Sequence, residues 1–202
     1  MELTAWLSLA SICILGAMTP GPSLAMVLKH TISGGRFNGM IVSIAHGLGV
    51  ALYAVLTVLG MAVIIKETPW LFNIIKYAGV AFLLWLAFKA LTSKSALDNI
   101  QTKTCKVSWQ QSAWEGFSIA FLNPKLALFF LALFSQFIHA DASAHQKTVM
   151  VATVGAIDTL WYCLIALILS QSSMLTRLRA NAHIVDKVTG IALISVAMRV
   201  ML

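Results

Sequence analysis

The tetrapeptide Thr19-Pro20-Gly21-Pro22 lies inside an apolar stretch, Thr4 to Leu28, that carries no charged residue. Each proline removes a backbone donor, and glycine weakens a helix. In lipid every backbone group so freed needs a partner within the protein. A second interruption, Asn123-Pro124-Lys125, falls in a later apolar stretch, its proline 104 residues after Pro20. Helices broken at corresponding places in the two halves of a membrane chain point to a ligand site near the bilayer midplane.

The membrane reading rests on composition: 59% of the 202 residues are hydrophobic and 10% are charged, against roughly 25% charged in soluble domains. A bilayer core needs about 20 helical residues per crossing. Six stretches qualify: Thr4–Leu28, Met40–Ile65, Trp70–Leu91, Phe117–Ile138, Thr148–Ser170 and Ile184–Leu202. The sixth has Asp186, Lys187 and Arg199 near its ends, placed to reach the interfaces. The expected fold is therefore an all-α polytopic membrane protein of six transmembrane helices, the first and fourth broken at proline.

The net charge of +7 does not mark a nucleic-acid binder, because the basic residues sit between apolar runs. Lys29 and Arg36 follow the first span, Lys89, Lys94, Lys103 and Lys106 follow or end the third, and Arg177 and Arg179 follow the fifth. Retention of these residues in the cytoplasm puts both termini on the outer side. The polar stretch 93–115 then divides a single transmembrane domain, 1–202, into repeat 1 (1–92), a cytoplasmic linker and repeat 2 (116–202).

The halves echo one another. Lys76-Tyr77-Ala78-Gly79-Val80-Ala81 matches Lys187-Val188-Thr189-Gly190-Ile191-Ala192, and Gly47 and Tyr53 match Gly155 and Trp161. With three spans per half, the two copies are inverted in the membrane, a plan common among secondary transporters.

Thr19-Pro20 and Asn123-Pro124 share a grammar: a capping side chain, then proline at the first helical position. Each can restart a helix in mid-membrane, with free amides and the positive end of a dipole. The expected substrate-binding set is Thr19, Pro20, Gly21, Pro22, Ser23, Asn123, Pro124 and Lys125, with the amides of Gly21, Ser23, Lys125 and Leu126 offered to a carboxylate. A simple proline kink is the alternative. Lys125, expected roughly 12 Å into its span at 1.5 Å per residue, must face a cavity, pair, or snorkel.

Asp158 is the one acidic residue near the middle of any span. It can carry a proton, hold a substrate ammonium, pair with Lys125, or bond a neighbouring helix. His46, beside Gly47 and Gly49, is either a proton relay or a packing residue. Tyr53, Trp161 and Tyr162 either line the cavity or pack. Cys13, Cys105 and Cys163 show no metal-ligand or disulfide spacing, and nothing points to a metal, nucleotide or prosthetic group. The small-residue face of Gly47, Gly49 and Ala51 can pack helices within one chain or between two copies.

The Pro-Gly-Pro break, the glycine-bearing second span, the Asn-Pro-Lys motif and Ser135-Gln136-Phe137 resemble the LysE/RhtB superfamily of amino-acid exporters, above all its homoserine/threonine resistance branch. The likeness covers nearly the whole chain. It implies export of a small amino acid from the bacterial cytoplasm across the inner membrane, driven by protons. Ser23 stands where the family often has Asn or Asp, and Ser-Gln-Phe replaces its usual Pro-Gln-Phe. Two other classes compete. A membrane thiol-redox protein would need a cysteine pair beside the breaks, and no cysteine lies near Pro124. A channel would need more charge along its spans.

Overall fold

The computed structural model of the chain describes residues 1–19, 21–92, 107–139, 141–168, 183–184, 187–195 and 197–198. Expectations resting on Pro20, Lys94, Lys103, Cys105, Lys106, Arg177, Arg179, Asp186 and Arg199 lie outside these residues. All regular structure among the described residues is helical: α1 (Leu3–Met18), α2 (Pro22–Glu67), α3 (Pro69–Thr92), α4 (Trp109–Phe121), α5 (Pro124–Phe134), α6 (Ala144–Ile168) and α7 (187–195). Three of these, α2, α3 and α6, are long and apolar enough to cross a membrane; α4 and α5, bent by 51° at their junction, together make a fourth.

The boundary between the first two expected spans is redrawn. The expected loop of residues 29–39 is helical, and α2 runs for 46 residues through it. A straight helix of that length would measure about 69 Å, more than twice a bilayer core of ~30 Å. Gly35 resolves the conflict, with φ 75° and ψ −178°, a conformation essentially confined to glycine. The chain folds back there. A Cβ on Gly39 would lie 3.1 Å from the Cβ of Thr31, positions that eight residues of straight helix would hold about 12 Å apart. The first limb spans 22–34 and the second 36–67, the latter alone long enough to cross a bilayer core.

The expected linker also ends early. Ser108 caps α4, its hydroxyl accepting from the Gln111 amide at 3.2 Å, so residues 109–115 are helix. Lys125 therefore stands about two helical turns further along its path than a start at Phe117 implied.

The second limb of α2 is the centre of the fold, packing on both α4 and α6. Gly47 abuts Thr159 of α6, and a Cβ on Gly155 would meet Ala51 at 3.0 Å. Two residues on, Gly49 faces Ala120 and the Phe117 carbonyl of α4, each 2.9 Å from its Cβ position. Two residues turn a helix by about 200°, so these glycines seat neighbours on opposite faces. The small-residue stripe thus packs helices within the chain. An apolar core of Leu9, Met61, Leu83, Leu133, Phe134 and Met150 is sealed from solvent, while Leu48, Leu59 and Leu160 turn outward, as lipid-facing side chains do.

Gly35 has open space where a Cβ would go, so Gly35→Ala meets a backbone penalty without a clash. The loss is expected at about 1–3 kcal/mol. Gly60 has equally open space and no unusual backbone; Gly60→Ala is expected to be neutral or stabilising by under ~1 kcal/mol. Thermal unfolding midpoints of the two variants in detergent check the contrast.

Candidate functional site

The two breaks share a grammar in sequence but not in structure. Thr19 closes the helix behind it: its amide and its hydroxyl both donate to the Leu15 carbonyl, at 3.1 and 2.9 Å. Thr189 of α7 donates to the same carbonyl at 3.3 Å. The start of α2 is left with Gly21 as N-cap and no side-chain cap. With Pro22 at the first helical position, the amides of Ser23 and Leu24 stand at an open, positive helix end.

The second break is capped as the sequence suggested. Asn123 Oδ1 accepts from the Lys125 amide at 3.0 Å, with Pro124 at the first helical position. That amide is spoken for, which corrects the expectation that it would be offered to a ligand. What this break contributes instead is the Lys125 side chain. Its ammonium lies 3.9 Å from the position a Cβ would take on Gly21. Two breaks a hundred residues apart therefore meet.

They meet at a cavity of about 520 Å³. Thr19, Gly21, Pro22, Ser23, Asn123, Pro124 and Lys125 all line it, as do Asp158 and Tyr162. Of the expected binding set, Pro20 alone lies outside the described residues. The rest of the wall is mostly apolar and includes Phe82, Trp85, Leu86 and Phe129, with Lys89 and Thr189 as its further polar members. The α1 backbone comes close enough that a Cβ on Gly16 would sit 3.1 Å from the Phe129 ring.

Behind Asp158 lies His46. The two are bonded at 2.6 Å, Nδ1 to Oδ2, with the His46 side chain 1% exposed. With Asp158 ionised, Nδ1–H donates to Oδ2; with Asp158 protonated on Oδ1, Oδ2 still accepts from Nδ1–H, and the buried Nε2 needs no hydrogen in either state. The contact is satisfied in both states. Tyr162 packs edge-on against the His46 ring at 5.0 Å and 78°, and its side chain is hydrogen-bonded to Ser23. One chain of contacts thus joins the open end of α2 to the carboxylate. The Gly47–Thr159 approach makes it possible by drawing α2 and α6 together.

Two aromatic candidates are placed elsewhere. Tyr53 packs edge-on against Phe121 at 6.0 Å and stacks on Phe130 at 6.3 Å. Trp161 packs beside the cluster of Leu24, Val27 and Leu28. The sequence reading missed the α3 contribution. Phe82, Trp85 and Lys89 recur at helical spacing on one face, with the Lys89 ammonium 5.2 Å from the Trp85 ring centroid; that spacing was the available signal. Cys13 lines the cavity wall, whereas Cys163 does not. No cluster of metal-ligating side chains occurs among the described residues.

Residues 14–202 match the family of LysE type translocators. The chain belongs to that family. Among its relatives is the uncharacterized membrane protein YrhP of Bacillus subtilis, 27% identical over 96% of this chain and 95% of that protein. A leucine efflux protein of Klebsiella pneumoniae is 27% identical over 79% of this chain and 75% of its own length. One of Salmonella typhimurium is 26% identical over 79% and 74%. No solved structure matches the chain. The protein is thus a multi-pass membrane protein of a translocator family.

In this LysE-type translocator, Asn123→Ala uncaps α5 and frees the Lys125 amide. A destabilisation of about 1 kcal/mol is expected, read as a lower thermal midpoint. Thr19→Ala removes no forward cap and should leave the α2 start unchanged.

Proposed function

We propose that this translocator exports a neutral amino acid with an apolar side chain in exchange for protons. The observation that carries the reading is the convergence of an uncapped helix start, the Lys125 ammonium and the Asp158 carboxylate on one cavity with an apolar wall. A zwitterion needs such a set: donors for its carboxylate, an acceptor for its ammonium, and an apolar surface for its side chain. The carboxylate would bond the Ser23 and Leu24 amides and Lys125. The ammonium would sit on Asp158.

Proton exchange follows from competition. A protonated Asp158 cannot pair with an ammonium, and an ammonium bound there excludes the proton. Substrate loaded from one side and a proton loaded from the other would then use one carboxylate in turn, with His46 keeping it bonded in either state. The two three-helix repeats, inverted and rocking against each other, would expose the site to each side alternately. The basic loops favour an inner membrane with both termini outside.

A leucine-like substrate is favoured over homoserine or threonine by the aromatic and aliphatic surface of Phe82, Trp85, Leu86 and Phe129, and by relatives that bear the name leucine efflux protein.

Uptake of labelled leucine and threonine into inside-out vesicles, with the lumen acidified, tests the reading. Saturable leucine uptake that collapses with a protonophore is expected, with threonine weaker by about tenfold or more. Asp158→Asn should abolish driven accumulation while the protein remains inserted. Undiminished accumulation in that variant removes Asp158 from coupling; no uptake across a panel of amino acids removes the substrate class.

A further inference from the structure

A second histidine–carboxylate cluster lies away from the cavity. His30, on the first limb of α2, is fully buried. Its Nδ1 is 2.8 Å from Ser112 Oγ and its Nε2 is 2.9 Å from Glu115 Oε2, both on α4. Glu115 also accepts from Lys29 Nζ at 3.0 Å and from Gln111 Nε2 at 2.6 Å. On its other flank the limb packs against Tyr162, Ile165 and Ala166 of α6, none of them charged near neutral pH.

The position of this cluster is as informative as its chemistry. His30 lies eight residues after Pro22, where α2 starts at one break, and Glu115 lies eight residues before Asn123, at the other. Each is about 12 Å of helix from the site. The cluster therefore joins the two segments whose far ends hold the open amides and Lys125.

We propose that Lys29, His30, Ser112 and Glu115 form a protonation-sensitive clamp that sets the spacing of the two breaks, making His30 a positioning residue for the substrate. The proposal rests on the reading of the breaks as the substrate site. The Ser112 hydroxyl makes two bonded states available. With His30 neutral, Ser112 O–H donates to Nδ1, and Nε2–H donates to Glu115. With His30 protonated, Nδ1–H donates to Ser112 Oγ, whose own hydrogen turns to the Ser108 carbonyl 3.1 Å away. No ring nitrogen is orphaned in either state. Protonation turns the bond to the ionised Glu115 carboxylate into an ion pair, with charge on both donor and acceptor. Protonation of His30 thereby tightens the clamp and favours the bound spacing.

His30→Gln is the discriminating variant, because an amide can bond both Ser112 and Glu115 but does not titrate. Two quantities are read on purified protein at pH 5.5 and 7.5: leucine affinity, and backbone hydrogen exchange of α4 corrected for intrinsic rates. The wild type is expected to bind leucine roughly fivefold more tightly at the lower pH, relative to the change in His30→Gln, and to protect α4 more. His30→Leu, lacking both bonds, should bind weakly at either pH. Identical pH profiles in the wild type and His30→Gln would overturn the clamp. If neither protein binds leucine, the substrate reading fails, and α4 exchange alone decides the clamp: pH-dependent protection lost in His30→Gln upholds it, and unchanged protection overturns it.

Discussion

Everything at the site depends on how the backbone groups freed between α1 and α2 are paired. A helix interrupted in lipid leaves carbonyls on one side of the break and amides on the other, and hydrocarbon bonds neither. Here the carbonyl side is answered in part from within the protein: the Leu15 oxygen accepts from Thr19 and from Thr189 across in α7, and the Gly16 oxygen from the Thr19 amide. The amide side is not answered by a side-chain cap. That asymmetry gives the break a sign. Carbonyls already bonded draw a cation less, and an end with open amides favours an anion. Lys125, brought beside Gly21, has the same preference, so the second break strengthens the first rather than duplicating it.

The existence of both breaks was legible because proline and glycine act locally. Their consequences were not, because a capping side chain has a choice of partners. Asn123 bonds forward to the Lys125 amide, as its short amide side chain allows. Thr19 bonds backward to Leu15, the habit of a β-hydroxyl residue still in helical register. Sequence shows the same pair of residue types in both places and cannot show which way each hydrogen bond runs. The Gly35 turn was hidden for a related reason. Gly34-Gly35 sits among residues polar enough to read as a loop, and only the contact of Gly39 with Thr31 reveals two helical limbs meeting at one residue.

Of the site itself, the polar members at the breaks and Asp158 were readable; Lys89, Thr189 and the apolar wall were not. A charge or a proline is conspicuous in an apolar span, so Lys125 and Asp158 were identified individually. Phe82, Trp85 and Phe129 are unremarkable in membrane helices, where aromatic and aliphatic residues face lipid, core and cavity alike. Their assignment to the cavity depends on which face of α3 meets α5, a long-range fact absent from any local pattern. Tyr53 and Trp161 show the converse: both were plausible wall residues, and both pack elsewhere.

The two histidines on α2 illustrate how one side-chain type is given different work by its surroundings. His46 is bonded through Nδ1 to a carboxylate that faces the cavity, while its Nε2 is buried with no partner. Adding a proton there would create a charged, unpaired N–H, so the exchangeable hydrogen is directed to the Asp158 carboxyl, within reach of a substrate. His30 has both nitrogens bonded and a hydroxyl able to reverse its direction. It can gain a proton without breaking a bond, but has no part in the cavity wall. The first arrangement suits a group that must exchange its proton for a ligand in each cycle. The second suits a group that follows the pH of its surroundings and transmits it along two rigid helices. Burial and residue type are the same in both; the partner of the second ring nitrogen separates them.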